Sequence, residues 1–321
     1  MRKVLFTANT FTDEKIQELK NNGLEIISQR GDLSEDELIE VVKNVDAYIV
    51  GGDEIVTKKV IDSTDNLKII AFLGTGYEHY VDVKAATAKG IVVTNTPRAN
   101  AYTVAEHTVA LILDVVKQIT KLNNDTKQGG WHKHKTWNLK GKTLGIIGFG
   151  AIGSCVARIM HLGFDMKVIY FNRSPKPELE AELGAVKVTM PELLSQSDVV
   201  SIHVAYSDEL HGLIGSKELE LMKPTGVLIN AARAEIVDPI ALYQVLSNNQ
   251  IAAAAFDVYY QEPPTKEEEG KLKLLSLSND KFIITPHTAY NSTDAIVAME
   301  NMVIESLNDM FAGRKVNHQV N

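Results

Sequence analysis

Short runs of β-branched and aromatic residues alternate with amphipathic stretches along most of the chain, the pattern of parallel strands joined by crossover helices. In the first hundred residues, Val4 to Phe6, Leu24 to Ile27, Ala47 to Val50, Leu67 to Phe72 and Ile91 to Val93 read as strands. Ser34-Glu35-Asp36-Glu37 fits a capping box and opens a helix with Leu38, Val41 and Val42 on one side. A second series follows, with strand-like runs at Thr143 to Ile147, Lys167 to Phe171, Asp198 to Val204, Gly226 to Asn230, Ile251 to Asp257 and Phe282 to Thr285. These runs are apolar on both sides, as in a parallel sheet covered by helices on both faces.

The two series are joined by a stretch from Asn100 to about Lys121 that is helical in pattern and apolar on nearly every side, so it is expected to be buried between domains or subunits. Gln128 to Trp137 (QGGWHKHKTW) reads as an exposed loop or arm, with a partner subunit as one place for its tryptophans. The charged run Lys266 to Lys273 reads as a solvated loop, and a terminal helix is expected from about Ser292 to Phe311. If that helix returns to the first sheet, one domain comprises residues 1–99 and 288–321 and the other residues 100–287. The expected fold class is therefore α/β, with one doubly wound parallel-sheet domain inserted into a smaller, flavodoxin-like one.

Composition narrows the class. The chain has 321 residues, 45% apolar and 23% charged, enough for two domains with sizeable cores. A net charge of −8 argues against a dedicated nucleic-acid binder. The one cysteine, Cys155, excludes a disulfide framework and any cluster of thiolate ligands, and it reads as a small core residue. No apolar run approaches the roughly 18 residues that span a bilayer, and the start lacks the h-region of a signal peptide. A cytoplasmic protein with no membrane partner is expected.

The strongest local signal is LGIIGFGAIG, Leu144 to Gly153, where a strand runs into Gly148-x-Gly150-x-x-Gly153 and a helix follows. The first glycine allows a tight turn, the second lets backbone approach a pyrophosphate, and the third lets helix pack on strand. The helix start, at Ala151 and Ile152, offers free N–H groups to that pyrophosphate. With six strands, this half has the size of a complete Rossmann dinucleotide-binding domain. The next strand ends at Asn172-Arg173-Ser174, where an NAD site commonly carries a carboxylate for the ribose 2′-hydroxyl. Asn, Arg and Ser all donate hydrogen bonds to a 2′-phosphate, so the sequence leans toward NADP; NAD held through Asn172, with Arg173 a solvated strand-end charge, is the alternative.

Three further polar sites follow strands of the same half: Arg233 in LINAARAEIVD, Asp257 and Glu262 in FDVYYQEPP, and His287 in ITPHTAY. Carboxyl ends of strands are where open α/β sheets bind ligands, so these residues should converge. Together with GTGYEHYVD (Gly74 to Asp82) and NTPRANAYTVAEHT (Asn95 to Thr108), they occur in an order that resembles the D-isomer-specific 2-hydroxyacid dehydrogenase family over nearly the whole chain. The resemblance implies that His287 is the acid/base, Glu262 its carboxylate partner and Arg233 the substrate anchor. It adds Val104, Ala231, Ala232 and Asp257 to the cofactor-binding residues, with Asp257 on the nicotinamide carboxamide. It assigns Thr75, Gly76 and Asn100, with Arg233 and His287, to the substrate, and it implies a homodimer whose domains close through hinges near Pro97 to Asn100 and Pro286 to Tyr290.

Chemistry gives the same roles independently. Reducing a 2-oxo acid requires a hydride at the carbonyl carbon, a proton for its oxygen and a cation for the carboxylate. Histidine exchanges protons near neutral pH, and an adjacent carboxylate favours its imidazolium form. Arginine binds a carboxylate in a bidentate fork and stabilises the developing alkoxide. The other histidines are weaker candidates: His132 and His134 lack a third metal ligand, so no metal site is expected, His79 is read as surface, and His107 as the holder of a structural hydrogen bond.

Some positions depart from the family. Ala234 stands where glycine is usual, and its methyl group is expected to narrow the site or shift Arg233; Ala205 replaces a usual proline. No cation occurs in Val50-Gly51-Gly52-Asp53 or Ala71-Phe72-Leu73-Gly74, so a phosphorylated substrate is disfavoured, and Phe72 and Tyr77 suit a small or apolar substituent. No regulatory domain is expected after Asn321. The leading expectation is an NADP-preferring 2-oxoacid reductase acting on glyoxylate, hydroxypyruvate or a similar acid. The alternatives are phosphoglycerate dehydrogenase and, from a different class, a non-catalytic dinucleotide-sensing, corepressor-like binding protein.

Overall fold

The computed structural model describes residues 1–8, 10–29, 33–52 and 54–321. The chain divides into two compact units, Met1–Asn100 with Asn291–Asn321, and Ala101–Tyr290.

The first unit alternates strands and helices from the start: β1 (Arg2–Phe6), α1 (Asp13–Asn21), β2 (Leu24–Ser28), α2 (Glu35–Val42), β3 (Ala47–Val50), α3 (Lys58–Asp62), β4 (Ile69–Phe72), α4 (Val83–Ala88) and β5 (Val92–Thr94). These five strands pair with one another in parallel in the order β2-β1-β3-β4-β5, the flavodoxin-like arrangement, and Thr94 of β5 also makes an isolated antiparallel bridge to Gln319. Every residue of β3 and β4 is buried, which explains why AYIV and IIAF show no alternation. The expected capping box opens α2, with Glu37 N–H bonded to the Ser34 hydroxyl and the Glu37 carboxylate returning to Ser34 N–H.

The second unit opens with α5 (Ala101–Lys117) and α6 (Ile119–Lys127). The single helix expected to reach Lys121 is broken at Gln118, which has a left-handed φ of 55°. The Asp114 carboxylate accepts both Thr120 N–H (2.7 Å) and the Thr120 hydroxyl (2.5 Å), so it caps a new helix instead of allowing the first to continue. Then follow β6 (Thr143–Ile147), α7 (Ala151–Phe164), β7 (Lys167–Phe171), α8 (Pro177–Leu183), β8 (Val186–Lys187), α9 (Met190–Gln196), β9 (Val199–Ile202), α10 (Ser216–Glu220), β10 (Val227–Asn230), α11 (Pro239–Ser247), β11 (Ala253–Phe256), α12 (Lys266–Leu272) and β12 (Phe282–Ile284). The order is β12-β11-β10-β9-β6-β7-β8, again all parallel. The chain reverses its direction of winding between β6 and β9, the switch point where such sheets bind nucleotides.

Two apolar layers cover this sheet. One packs α5 and α7 residues such as Ile112, Val116 and Met160 on Ile146 and Tyr170; the other packs α11 residues Leu242 and Leu246 on Leu228 and Phe256. The run Lys266 to Lys273, expected to be loop, instead forms the short helix α12, because the Thr265 hydroxyl caps Glu268 N–H and three glutamates occupy the first turn. The expected arm splits in character: Trp131 is 81% exposed, whereas Trp137 packs on the core and its carbonyl accepts Lys117 Nζ at 2.7 Å. The last helix, α13 (Thr293–Phe311), packs against β4 of the first unit.

Candidate active site

The site is built on loops that leave the carboxyl ends of β6, β7, β10, β11 and β12. At the end of β6 the three glycines of the motif do different work. Gly148 has φ 95°, and a Cβ there would lie 2.6 Å from the His203 carbonyl carbon. A Cβ at Gly153 would lie 2.3 Å from the Gly148 carbonyl oxygen, so only glycine lets α7 start against β6. At Gly150, by contrast, an added Cβ would meet no other part of the described structure within 4 Å: the backbone faces open space at the start of α7, the cradle a pyrophosphate needs. These residues fit a dinucleotide. The Asn172 side chain ties the turn to the end of β7, with Oδ1 accepting Phe149 N–H (3.2 Å) and Nδ2 donating to the Ser174 carbonyl (2.9 Å).

Asn230, fully buried at the end of β10, shapes the next loop. Its Oδ1 accepts Ala232 N–H at 3.0 Å and its Nδ2 donates to the Arg233 carbonyl at 2.9 Å, so Ala231 to Arg233 form a closed turn. Arg233 Nη1 donates to the Ala232 carbonyl at 2.9 Å. The Ala234 methyl does not narrow the site: the residue is 1% exposed, packed in the 3-10 turn Ala234–Ile236.

Glu262 and His287 meet directly. His287 Nδ1 lies 2.6 Å from Glu262 Oε2, while Glu262 Oε1 accepts Tyr259 N–H at 2.8 Å, so both carboxylate oxygens are engaged. Burial pushes the Glu262 carboxyl up, but the His287 hydrogen bond and charge, Tyr259 N–H and the nearby Arg233 guanidinium outweigh it and hold the group below its ordinary value. With Nδ1–H committed to Glu262, Nε2 is the ring atom left to exchange a proton.

His287 has φ 49°, left-handed for a side-chain-bearing residue, and the structure around it enforces that conformation. Asp257, 1% exposed at the end of β11, accepts Thr288 N–H (3.1 Å) and the Thr285 hydroxyl (2.5 Å) on Oδ1, and Ala289 N–H (2.7 Å) on Oδ2. His107 Nε2 lies 3.0 Å from the Thr285 hydroxyl oxygen, which has already donated its hydrogen to Asp257 and so accepts here. Burial raises the Asp257 carboxyl, but hydrogen bonds from His107, Thr285, Ala289 and Thr288 hold it below its ordinary value.

The second unit thus brings Arg233, Asp257, Glu262 and His287 together, with the glycine turn, Asn172, Arg173 and Ser174 on the same sheet edge. Val104 is buried in α5 at 5% exposure. Thr75 and Gly76 follow β4 in the first unit, where the Thr75 carbonyl accepts Asn95 Nδ2 at 3.0 Å; Asn100 closes that unit's first segment. Of the residues in the cation-poor stretches, Asp53 lies outside the described residues. His79 and His134 are exposed, and His132 Nδ1 lies 3.0 Å from Asp125 Oδ2. Among the described residues, no group of three His, Cys, Asp or Glu side chains is placed to hold a metal ion, and no helix is long and apolar enough to cross a membrane.

Sequence reading overlooked Asn230 and the loop-holding contacts of Asp257 and Thr285. The signal was present: a polar residue closing an otherwise apolar buried strand, as in VLIN, must find partners in the next loop.

A model of the D-isomer specific 2-hydroxyacid dehydrogenase NAD binding domain matches residues 109–289. D-3-phosphoglycerate dehydrogenase of Archaeoglobus fulgidus is 36% identical over 99% of this chain, which spans 59% of that relative's length. Glyoxylate reductase of Thermococcus litoralis is 38% identical, covering 84% of this chain and 82% of the relative. A crystal structure of a Thermus thermophilus protein superimposes with a TM-score of 0.90 at 31% identity, covering 99% of this chain and 100% of that one. The chain belongs to the D-isomer-specific 2-hydroxyacid dehydrogenase family, oxidoreductases that act on the CH–OH group of 2-hydroxy acids.

Proposed function

We propose that this protein is an NAD(P)-dependent D-2-hydroxyacid dehydrogenase that runs as a reductase of a small, unphosphorylated 2-oxo acid such as glyoxylate or hydroxypyruvate. The carrying observation is the His287 Nδ1 to Glu262 Oε2 contact of 2.6 Å, next to Arg233 and on the sheet edge that holds the open Gly150 backbone. Residues 100–287 are the dinucleotide-binding domain, and residues 1–99 with 288–321 the substrate-binding domain.

A nicotinamide dinucleotide, when bound, supplies the hydride. Gly148, Gly150, Ala151, Ile152 and Gly153 hold its pyrophosphate, Asn172, Arg173 and Ser174 favour the 2′-phosphate of NADP, and Val104, Ala231, Ala232 and Asp257 lie toward the nicotinamide. His287 delivers a proton from Nε2 to the carbonyl oxygen, and Glu262 keeps the ring oriented and compensates its charge. Arg233 binds the substrate carboxylate and stabilises negative charge on the carbonyl oxygen. Thr75, Gly76 and Asn100 are assigned to the substrate on family likeness.

The phosphoglycerate dehydrogenase relative supports a second reading, a phosphorylated substrate. Against it, the described residues of 50–54 and 71–76 include no Arg or Lys to hold a phosphate dianion. A sensor of dinucleotides has no need for the proton donor at His287. We further propose a cytoplasmic homodimer, for which the exposed Trp131 is a contact candidate.

Initial rates with NADPH and NADH against glyoxylate, hydroxypyruvate, pyruvate, phenylpyruvate and phosphohydroxypyruvate test the reading, with His287→Ala as control. Turnover that vanishes in the variant supports it. Preference for the phosphorylated acid selects the second reading, and nucleotide binding without turnover on any acid selects the sensor.

A further inference from the structure

A depression of about 480 Å³ opens in the second unit between the carboxyl end of β7 and the β8–α9 connection. Its walls bring together Arg173, after β7, and Lys187, the last residue of β8, with Thr189 and Glu192 from the start of α9. It adjoins the glycine turn, because β7 is the neighbour of β6 and the Asn172 side chain on its wall accepts Phe149 N–H. A dinucleotide with its pyrophosphate on Gly150 therefore carries its adenosine ribose toward this depression.

The charges here are unevenly committed. Neither Arg173 nor Lys187 makes a side-chain hydrogen bond or ion pair with any described residue, and both are exposed. The one carboxylate, Glu192, is tied to its own helix cap through one oxygen: Oε2 accepts Thr189 N–H (2.9 Å) and the Thr189 hydroxyl (2.7 Å), and those hydrogen bonds hold its carboxyl below the ordinary value. Asn172 is engaged at both ends of its amide. The wall thus offers two cationic donors, Arg173 just after β7 and Lys187 on β8, against a single carboxylate that its helix cap holds through Oε2. That is the chemistry of a phosphate monoester site, which a plain diol fits poorly.

We infer that Lys187 shares the adenosine 2′-phosphate of NADPH with Arg173, and that the two together set cofactor choice. This inference rests on the reading of the second unit as a dinucleotide domain that leans toward NADP. Lys187 acts as a specificity determinant from a two-residue strand, β8, the parallel neighbour of the strand that the Asn172-Arg173-Ser174 segment follows. Glu192 moderates the affinity, since its fixed negative charge faces the same anion.

The test is calorimetric titration of the purified full chain with adenosine 2′,5′-bisphosphate and with AMP, alongside NADPH and NADH kinetics. The wild type is expected to bind the bisphosphate more tightly than AMP. Lys187→Ala should weaken bisphosphate binding by about tenfold and leave AMP unchanged, as loss of one charge-assisted contact does. Lys187→Arg should restore it, and Glu192→Gln, which keeps the capping oxygen, should strengthen it. The bisphosphate advantage should shrink as salt rises. If the wild type favours the bisphosphate but Lys187→Ala binds it equally well, the role of Lys187 is overturned while the NADP reading stands on Arg173. If the wild type binds AMP as tightly as the bisphosphate, the NADP reading itself falls, and the role of Lys187 with it.

Discussion

Asp257 Oδ2 accepts the backbone N–H of Ala289 at 2.7 Å, two residues beyond His287, and this contact links the end of one strand to the loop that presents the proposed acid/base. Its other oxygen holds Thr285 and Thr288, on either side of the left-handed His287. A carboxylate suits the place because each of these partners donates, and an isosteric amide carries only one accepting atom.

Asp257→Asn is therefore expected to leave the sheet intact and loosen the loop. The amide nitrogen would face a backbone N–H or a hydroxyl proton, leaving a buried donor unpaired at a cost of about 1.5–3 kcal/mol. Urea titration should report that loss, and kcat should fall by more than stability does because His287 is no longer held. The loss should also depend on pH. The carboxyl is held below its ordinary value, so its contribution is complete above about pH 4 and disappears as pH falls through the depressed value. Wild type and variant should converge in stability in strong acid; a gap that persists there would show that charge on Asp257 is irrelevant.

His287→Ala should lower kcat by about 10²–10⁴, the usual worth of a positioned acid or base, with little change in nucleotide affinity. Glu262→Gln should be milder. Glu262 stays ionised through the ordinary carboxylate range, so the wild type should keep its Glu262-dependent activity until pH falls below that range. The acid limb that Glu262 contributes to the rate profile should be missing in the glutamine variant.

Arg233→Lys tests whether a fork or only a charge is needed. Lysine retains the positive charge but cannot engage two carboxylate oxygens in plane. The expected result is a KM for the 2-oxo acid raised by at least about tenfold, with the KM for the nucleotide unchanged. Equal kinetics for the two residues would remove Arg233 from the role of carboxylate anchor.

His203, just after β9, is a source of acid sensitivity outside the proposed reaction. Its Nε2 pairs with the Ser201 hydroxyl at 2.8 Å, its buried Nδ1 has no hydrogen-bond partner among the described residues, and burial pushes the imidazole down to about 3 from 6.5. Between those values the unfolded chain takes up a proton that the folded chain refuses. Stability must then fall with pH, by at most about 1.4 kcal/mol per unit for this one group. Replacing His203 by Gln should flatten that part of the stability profile in urea titrations between about pH 7 and pH 5, and an unchanged slope would exclude His203 as its source.

How much of this could be read from the chain differs with the size of the signal. The parallel strands were legible because AYIV, IIAF and VLIN are apolar runs long enough to be buried on both faces. β8 was not, since Val186 and Lys187 are both exposed and two residues carry no periodicity. The break at Gln118 was hidden because it depends on Asp114 reaching Thr120, a contact that no apolar pattern records. The pairing of His287 with Glu262 was legible as order along the chain, whereas the loop-holding contacts of Asp257 appear only once β11 and β12 lie side by side.

Asn172→Asp bears on cofactor choice from the end of β7, the strand beside Lys187. Asn172 Oδ1 accepts Phe149 N–H and a carboxylate would do the same, so the glycine turn should survive the change. Its Nδ2, however, donates to the Ser174 carbonyl at 2.9 Å; a carboxylate oxygen there would repel that carbonyl and pull Arg173 toward itself. Its charge would also oppose a 2′-phosphate while accepting a hydrogen bond from a 2′-hydroxyl. The kcat/KM with NADPH should fall by about tenfold or more and that with NADH should rise. If both cofactors lose equally, Asn172 acts only on the shape of the turn; if NADPH is unaffected, the β7 end takes no part in choosing between them.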